Sequence, residues 1–327
     1  MFSARINGQV ISVNANTVPT TPISLPVSKR PILDRALADA IFETVAYADI
    51  FDYPLTAPEI HRYLIDRSVS RETVQTALDH DPTLAQRLSR TDDYFALAGR
   101  ESIVAIRRQR AVLARRFWLR ARRYGRMISS LPFVRMVAVT GELAMDNVRD
   151  KSDIDFFIVT EHRRLWLCRL FVLGIVRAAA RFGDTVCPNY LLSERALAIT
   201  ERDLYSAHEV VQMVPLSGID TYAQFRQANT WVYGFLPNAV SAPRQLSSTP
   251  HARPVRALTE SALRTPAGGL FESWESRRKL RKFSAMSQVH REASFSADWC
   301  KGHVHDHGRL ILAAFEVHKS EIEGPGR

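Results

Sequence analysis

Two aspartates one residue apart, Asp153 and Asp155, stand at the start of the apolar run 156–159. In an extended chain side chains alternate, so both carboxylates leave the same face of a strand. Two hard oxygen donors on one rigid edge suit Mg²⁺, which prefers carboxylates, water and substrate phosphate. Twelve residues before Asp153, another apolar run, 134–140, ends at Gly141. A glycine turn facing the aspartates from a neighbouring strand can aim backbone N–H groups at a triphosphate. Glu142, Asp146 and Ser152 share the connection between the two runs. The two acids there would repel a triphosphate at close range. A third apolar run, 186–192, contains Asn189 but no acid, and Asp184 lies just before it. His208 and Glu209 further on either reach the same pocket or form the polar face of an ordinary helix.

Other residues invite other chemistry. Cys300, His303, His305 and His307 are zinc-ligand types packed into eight residues, but their spacing fits no paired-ligand pattern. A surface loop before a helix explains them better, with helix expected at 298–301 and 309–318. Basic residues gather between Arg107 and Arg126, a stretch able to face phosphate or to pack against acids elsewhere. Phe117 and Trp118 within it sit at helical spacing, which favours the core over base stacking.

The elements that must position these groups can be read along the chain. Leu37, Ile41, Val45 and Ala48 give helical periodicity over 33–49, broken at Asp52-Tyr53-Pro54. Thr56 with Glu59 forms a capping box, and Ser70 can cap a helix over 71–78 that ends at Asp81-Pro82. Strand-like runs follow at 84–88 and 94–98 around the polar turn 91–93. Three helices and a hairpin make a winged helix-turn-helix pattern over 31–100. Its third helix carries Arg71 against Glu72 and Asp79, which is not the charge of a DNA reader. A long helix spans 101–126, strands fall at 134–140, 154–160 and 186–192, and a helix at 165–181 is ended by Gly183.

The strand, Gly141, the spacing to Asp153-Ile154-Asp155-Phe156 and the Ser152 before the pair resemble the nucleotidyltransferase superfamily that includes DNA polymerase beta and the minimal nucleotidyltransferases. The resemblance covers roughly 134–192, and more loosely the chain looks like bacterial nucleotidyltransferases with an N-terminal winged helix. It implies a mixed α/β (α+β) fold with a nucleotidyltransferase-like sheet. It implies two Mg²⁺ ions on Asp153 and Asp155, with Gly141, Glu142, Ser152 and Asn189 around the nucleotide. The implied reaction passes an NMP from an NTP to an acceptor with loss of pyrophosphate. The sequence departs from the family at Glu142, where Ser or Gly is usual, and in lacking an acid on the third strand, where the resemblance implies a third ligand position that Asn189 could fill as a neutral group, with Asp184 just before the strand. These departures keep open a second reading, a catalytically degenerate scaffold or a DNA-binding regulator. The acceptor, whether protein, RNA or small molecule, is not legible.

Composition bounds these readings. The chain has 327 residues, 46% of them hydrophobic and 24% charged, an ordinary globular balance. Its net charge of +10 equals the ten arginines between Ser102 and Gly141, a segment without lysine or acid. That concentration favours a local anionic contact, including nucleic acid along the 107–126 helix, over a generally basic coat. Three cysteines without paired spacing fit a reducing cytoplasm, and no apolar run is long enough for a membrane span. The expected organisation is a mobile tail (1–30), a winged-helix module (31–100), a basic connecting helix (101–133), a nucleotidyltransferase-like core (134–240), a linker (241–270) and a helical C-terminal region (271–327).

Overall fold

A computed structural model describes residues 5–6, 9–10, 35–242, 253–289, 294–301 and 307–323. Most of the expected tail and part of the expected linker lie outside these residues. In the N-terminal unit, β1 (Arg5–Ile6) pairs antiparallel with β2 (Gln9–Val10).

The second unit begins with α1 (Arg35–Asp49), whose apolar positions are nearly all buried. β3 (Leu55–Thr56) leads into α2 (Ala57–Arg62), where Glu59 Oε2 accepts from the Thr56 amide at 2.9 Å as the capping box requires. α3 (Arg71–His80) starts at Ser70, whose hydroxyl accepts from the Thr73 amide. The expected strand at 84–88 is instead mostly α4 (Pro82–Arg87). Asp81 stops α3 and also caps α4, because its carboxylate accepts from the Thr83 and Leu84 amides. β4 (Leu88–Thr91) and β5 (Tyr94–Leu97) then complete a three-stranded antiparallel sheet of order β3-β5-β4.

α5 (Ile103–Ser129) connects this N-terminal lobe to a larger sheet. Its buried positions, among them Ala114, Phe117, Trp118, Ala121, Tyr124 and Ile128, recur every three or four residues and form part of the main core. The sheet is built from β6 (Val134–Val139), β7 (Ile154–Thr160) and β8 (Val186–Ser193). Between β6 and β7 lies the single turn α6 (Gly141–Ala144), and α7 (Leu165–Arg181) is the crossover that lets β8 run parallel to β7. α8 (Leu204–Gln212) precedes β9 (Val214–Ser217), which pairs antiparallel with β6. α9 (Ile219–Ala228) and α10 (Val232–Phe235) follow.

The expected linker contains α11 (Arg253–Leu263) and the start of α12 (Pro266–Val289). The C-terminal region is not purely helical. β10 (Ser294–Phe295) and β11 (Trp299–Lys301) extend the sheet to the order β10-β11-β8-β7-β6-β9, and α13 (His307–Glu323) closes the chain. Helix expected at 298–301 is therefore strand, because pairing with residues 190–192 of β8 overrides local preference. The chain is mixed α/β, and no helix among the described residues is long and apolar enough to cross a membrane.

Candidate functional site

β6 and β7 deliver the two halves of the central motif side by side. The Thr140 amide donates to the Asp155 carbonyl at 3.1 Å, so Gly141 leaves β6 directly over the Asp155 side chain. Gly141 has φ +64°, and a Cβ there would lie 2.6 Å from Asp155 Oδ2. Glycine is required both by the left-handed backbone and by the carboxylate beneath it.

Asp155 is the one half-buried residue in an otherwise buried strand, and its side chain lines a cavity of about 580 Å³. Gly141, Glu142, Arg149, Asn189 and Glu209 line the same cavity. Burial, followed by the charge of Glu209, pushes the Asp155 carboxyl up to about 7. Asp153 and Glu142 push in the same direction, while a hydrogen bond with Cys187 opposes them. Burial likewise raises Glu209 to about 7, against the pull of Lys301. Two carboxylates with raised pKa values thus meet at one wall, the electrostatic signature of functional sites.

The structure distributes the other sequence candidates unevenly. Asp153 precedes β7, is exposed, and is not among the residues lining the cavity, although its charge reaches Asp155. The pair therefore does not present two equivalent ligands on one strand face. Ser152 donates to Glu142 and accepts from the Arg149 amide at 2.7 Å, so it braces the connection. Glu142 is held by that hydroxyl and by Arg149 at 3.8 Å, which partly answers its repulsion of phosphate. Asp146 is not among the residues lining the cavity; it accepts from the Trp118 indole at 2.6 Å, and its charge still reaches Tyr53 in the cavity wall. Asp184 is claimed by the Tyr124 hydroxyl at 2.7 Å and Arg120 at 3.1 Å, which removes it as a third ligand. Asn189 is only 6% exposed, and its side chain makes no hydrogen bond among the described residues. It lines this cavity and a smaller neighbouring one of about 60 Å³.

His208 and Glu209 do reach the cavity. Asp203 caps α8 by accepting from the Ser206 amide at 2.7 Å, which fixes the helix start. Burial lowers His208 to about 3, leaving it neutral. Sequence reasoning missed Tyr47, Phe51, Tyr53 and Tyr63, which bring the N-terminal lobe to the cavity. The apolar spacing over 33–49 was carried by Leu37, Ile41, Val45 and Ala48, and it gave no sign that these aromatic rings would face a cavity.

Among the described residues, no three His, Cys, Asp or Glu side chains are grouped to hold a metal ion. Cys300 lies buried in β11, while His303 and His305 fall outside the described residues. Comparison with known proteins finds no matching family model, no matching curated protein and no matching solved structure.

Proposed function

We propose that the chain is a Mg²⁺-dependent nucleotidyltransferase that moves an NMP from an NTP to an acceptor hydroxyl. The observation that carries this reading is the Gly141 turn pressed onto the Asp155 carboxylate inside a large cavity. The donor set fits magnesium: every candidate ligand in the cavity lining is a hard oxygen, from Asp155, Glu209 and Asn189, and the charge of Asp153 reaches Asp155 from outside that lining. The Asn189 side-chain oxygen, without a hydrogen bond among the described residues, and the like charges around Asp155 are the features a bound cation would satisfy. When bound, Mg²⁺ supplies charge neutralisation for the triphosphate and lowers the pKa of an attacking hydroxyl.

The chain's own residues do the rest. Asp155 and Glu209 supply negative charge at the cavity wall, and Gly141 permits close backbone approach. Arg149, at the rim, offers a guanidinium to a phosphate oxygen in exchange for its long contact with Glu142. Glu209 occupies the place that the third strand leaves without an acid, reached from α8 instead of β8.

The N-terminal lobe has the helix and strand order of a winged helix, α1-β3-α2-α3-β4-β5 with one added turn at α4. Nucleic acid is a candidate partner for α5, where Arg115, Arg116, Arg122, Arg123 and Arg126 are exposed and form no ion pair among the described residues. Arg107, Arg108, Arg110 and Arg120 are instead paired with acids. Three free thiols suit the reducing cytoplasm.

A second reading, a degenerate nucleotidyltransferase-like scaffold or regulator, is favoured by the lack of a grouped metal-ligand set among the described residues. Incubation with labelled NTPs, Mg²⁺ or Mn²⁺ and mixed acceptors separates the two. The enzyme reading expects pyrophosphate release that Asp153→Ala/Asp155→Ala abolishes. Release no greater than in that variant, with no metal-dependent NTP binding, leaves the scaffold.

A further inference from the structure

A second part of the cavity lining comes from the N-terminal lobe. Tyr47 and Phe51 project from α1 and its end, and Tyr63 from the end of α2. Tyr47 stacks on His208 with centroids 4.4 Å apart and planes 11° from parallel. Tyr63 tilts against the same imidazole at 5.6 Å, and Phe51 lies 5.7 Å from Tyr47.

Neutral hydrogen-bonding groups on this side are left unused. The Tyr47 hydroxyl makes no hydrogen bond among the described residues. His208 Nδ1 meets the Gln212 amide at 3.1 Å, while its buried Nε2 has no partner. Asn189, 6% exposed and in the same lining, makes no side-chain hydrogen bond among the described residues. An unsatisfied buried polar group costs about 1–3 kcal/mol, so His208 Nε2 in this cavity wall points to a ligand that satisfies it.

The wall is held in place. Tyr53 donates its hydroxyl to the Met145 carbonyl at 2.9 Å, and Asn147 donates to the Phe51 carbonyl at 3.1 Å. At the far edge of the lobe, the Asp66 amide donates to the Phe235 carbonyl at 2.8 Å and Asn238 to the His61 carbonyl at 2.9 Å. The outward helix α3, by contrast, sets Arg71 against Glu72 and Asp79, so the lobe's distinctive chemistry faces inward.

Aromatic faces edged by neutral donors and acceptors recognise a flat, uncharged heterocycle. We infer that the N-terminal lobe is the nucleobase wall of the cavity, seating the ring against Tyr47, Phe51 and Tyr63 with Asn189 and His208 at its edge. This rests on the nucleotidyltransferase reading for the choice of a nucleobase: the ring is carried in by the phosphates bound at the Asp155 end of the same cavity. A cavity of about 580 Å³ is large enough for one nucleotide.

The test uses adenosine, guanosine, cytidine and uridine, which carry the ring without phosphate. Calorimetric titration of the full chain without metal is expected to detect binding of at least one. Phe51→Ala, at a half-buried position, should weaken that nucleoside about fivefold or more, as for loss of one stacking partner. Tyr47→Phe, which keeps the ring, should weaken it less. Thermal unfolding confirms that both variants fold. No binding of any nucleoside, or unchanged affinity in both folded variants, overturns the inference. Nucleoside binding without any NTP turnover keeps the wall and removes the transferase reading. Turnover whose NTP KM is unchanged by Phe51→Ala keeps the transferase and removes the wall.

Discussion

Gly141→Ala tests the local geometry on which the site depends. The substitution has two separable consequences. The first is backbone strain: an alanine at φ +64° costs about 1–2 kcal/mol, offset by roughly 0.4–1 kcal/mol from the stiffer unfolded chain. A net loss of about 0–1.6 kcal/mol follows. The second is contact. The new Cβ would sit 2.6 Å from Asp155 Oδ2, so the carboxylate must retreat by about 0.4 Å to reach 3.0 Å. Misplacement of a reacting group by about 1 Å costs on the order of 100-fold, so a shift of this size should cost about tenfold in NTP affinity or turnover. Gly183→Ala supplies the control, because Gly183 has φ +77° and a Cβ there would meet nothing within 4 Å. Both variants should therefore lose similar stability in urea unfolding, and only Gly141→Ala should lose metal-dependent NTP binding. Equal NTP binding by the two would refute the reasoning that Gly141 exists to accommodate Asp155.

Other outcomes follow from the same structure. Asp155 and Glu209, raised to about 7 from unfolded values of roughly 4, hold extra protons in the folded state, so their contribution to stability is lost as pH rises through that window. Thermal unfolding of the metal-free chain should shift upward on acidification from about pH 8 to about pH 6, and Asp155→Asn/Glu209→Gln should flatten the dependence. His208, lowered to about 3, should show imidazole NMR signals that do not titrate between about pH 5 and pH 8. Arg107→Ala should cost about 3 kcal/mol in denaturant unfolding, since it strands Glu59 and removes a guanidinium stacked over Tyr53 at 4.1 Å. Replacing exposed Arg115, Arg116, Arg122 and Arg123 with Gln should change stability by about 0.5 kcal/mol or less per site, while reducing the salt dependence of any nucleic-acid binding.

Local chemistry made much of this architecture readable. Thr56 with Glu59 announced α2, and Ser70 announced α3, because caps act within one turn. The apolar runs of β6, β7 and β8 announced buried strands, and Gly141 announced the turn between two of them. Asp81-Pro82 misled because one residue both ends a helix and begins the next. β11 was illegible because three residues take their conformation from a partner more than a hundred positions away. At the site, Asp155 was visible as a carboxylate in an apolar strand. Glu209 was only one of two readings, since its arrival depends on where α8 packs. The tie between Trp118 and Asp146, and that between Tyr124 and Asp184, cross from α5 to the sheet and leave no mark in spacing. The aromatic wall was hidden for the same reason: the periodicity of Leu37, Ile41, Val45 and Ala48 reports a buried helix face, and not that Tyr47 beside it would line a cavity.

The central claim is that the Asp155 end of the cavity binds a metal-complexed triphosphate. Calorimetric titration with the Mg²⁺ complexes of ATP, GTP, CTP and UTP, with and without excess chelator, tests it most directly. The account predicts saturable binding of at least one triphosphate that chelation abolishes and that Asp155→Asn weakens at least about tenfold in a folded protein. Triphosphate binding indifferent to both chelation and Asp155→Asn, or no binding at all, would contradict it.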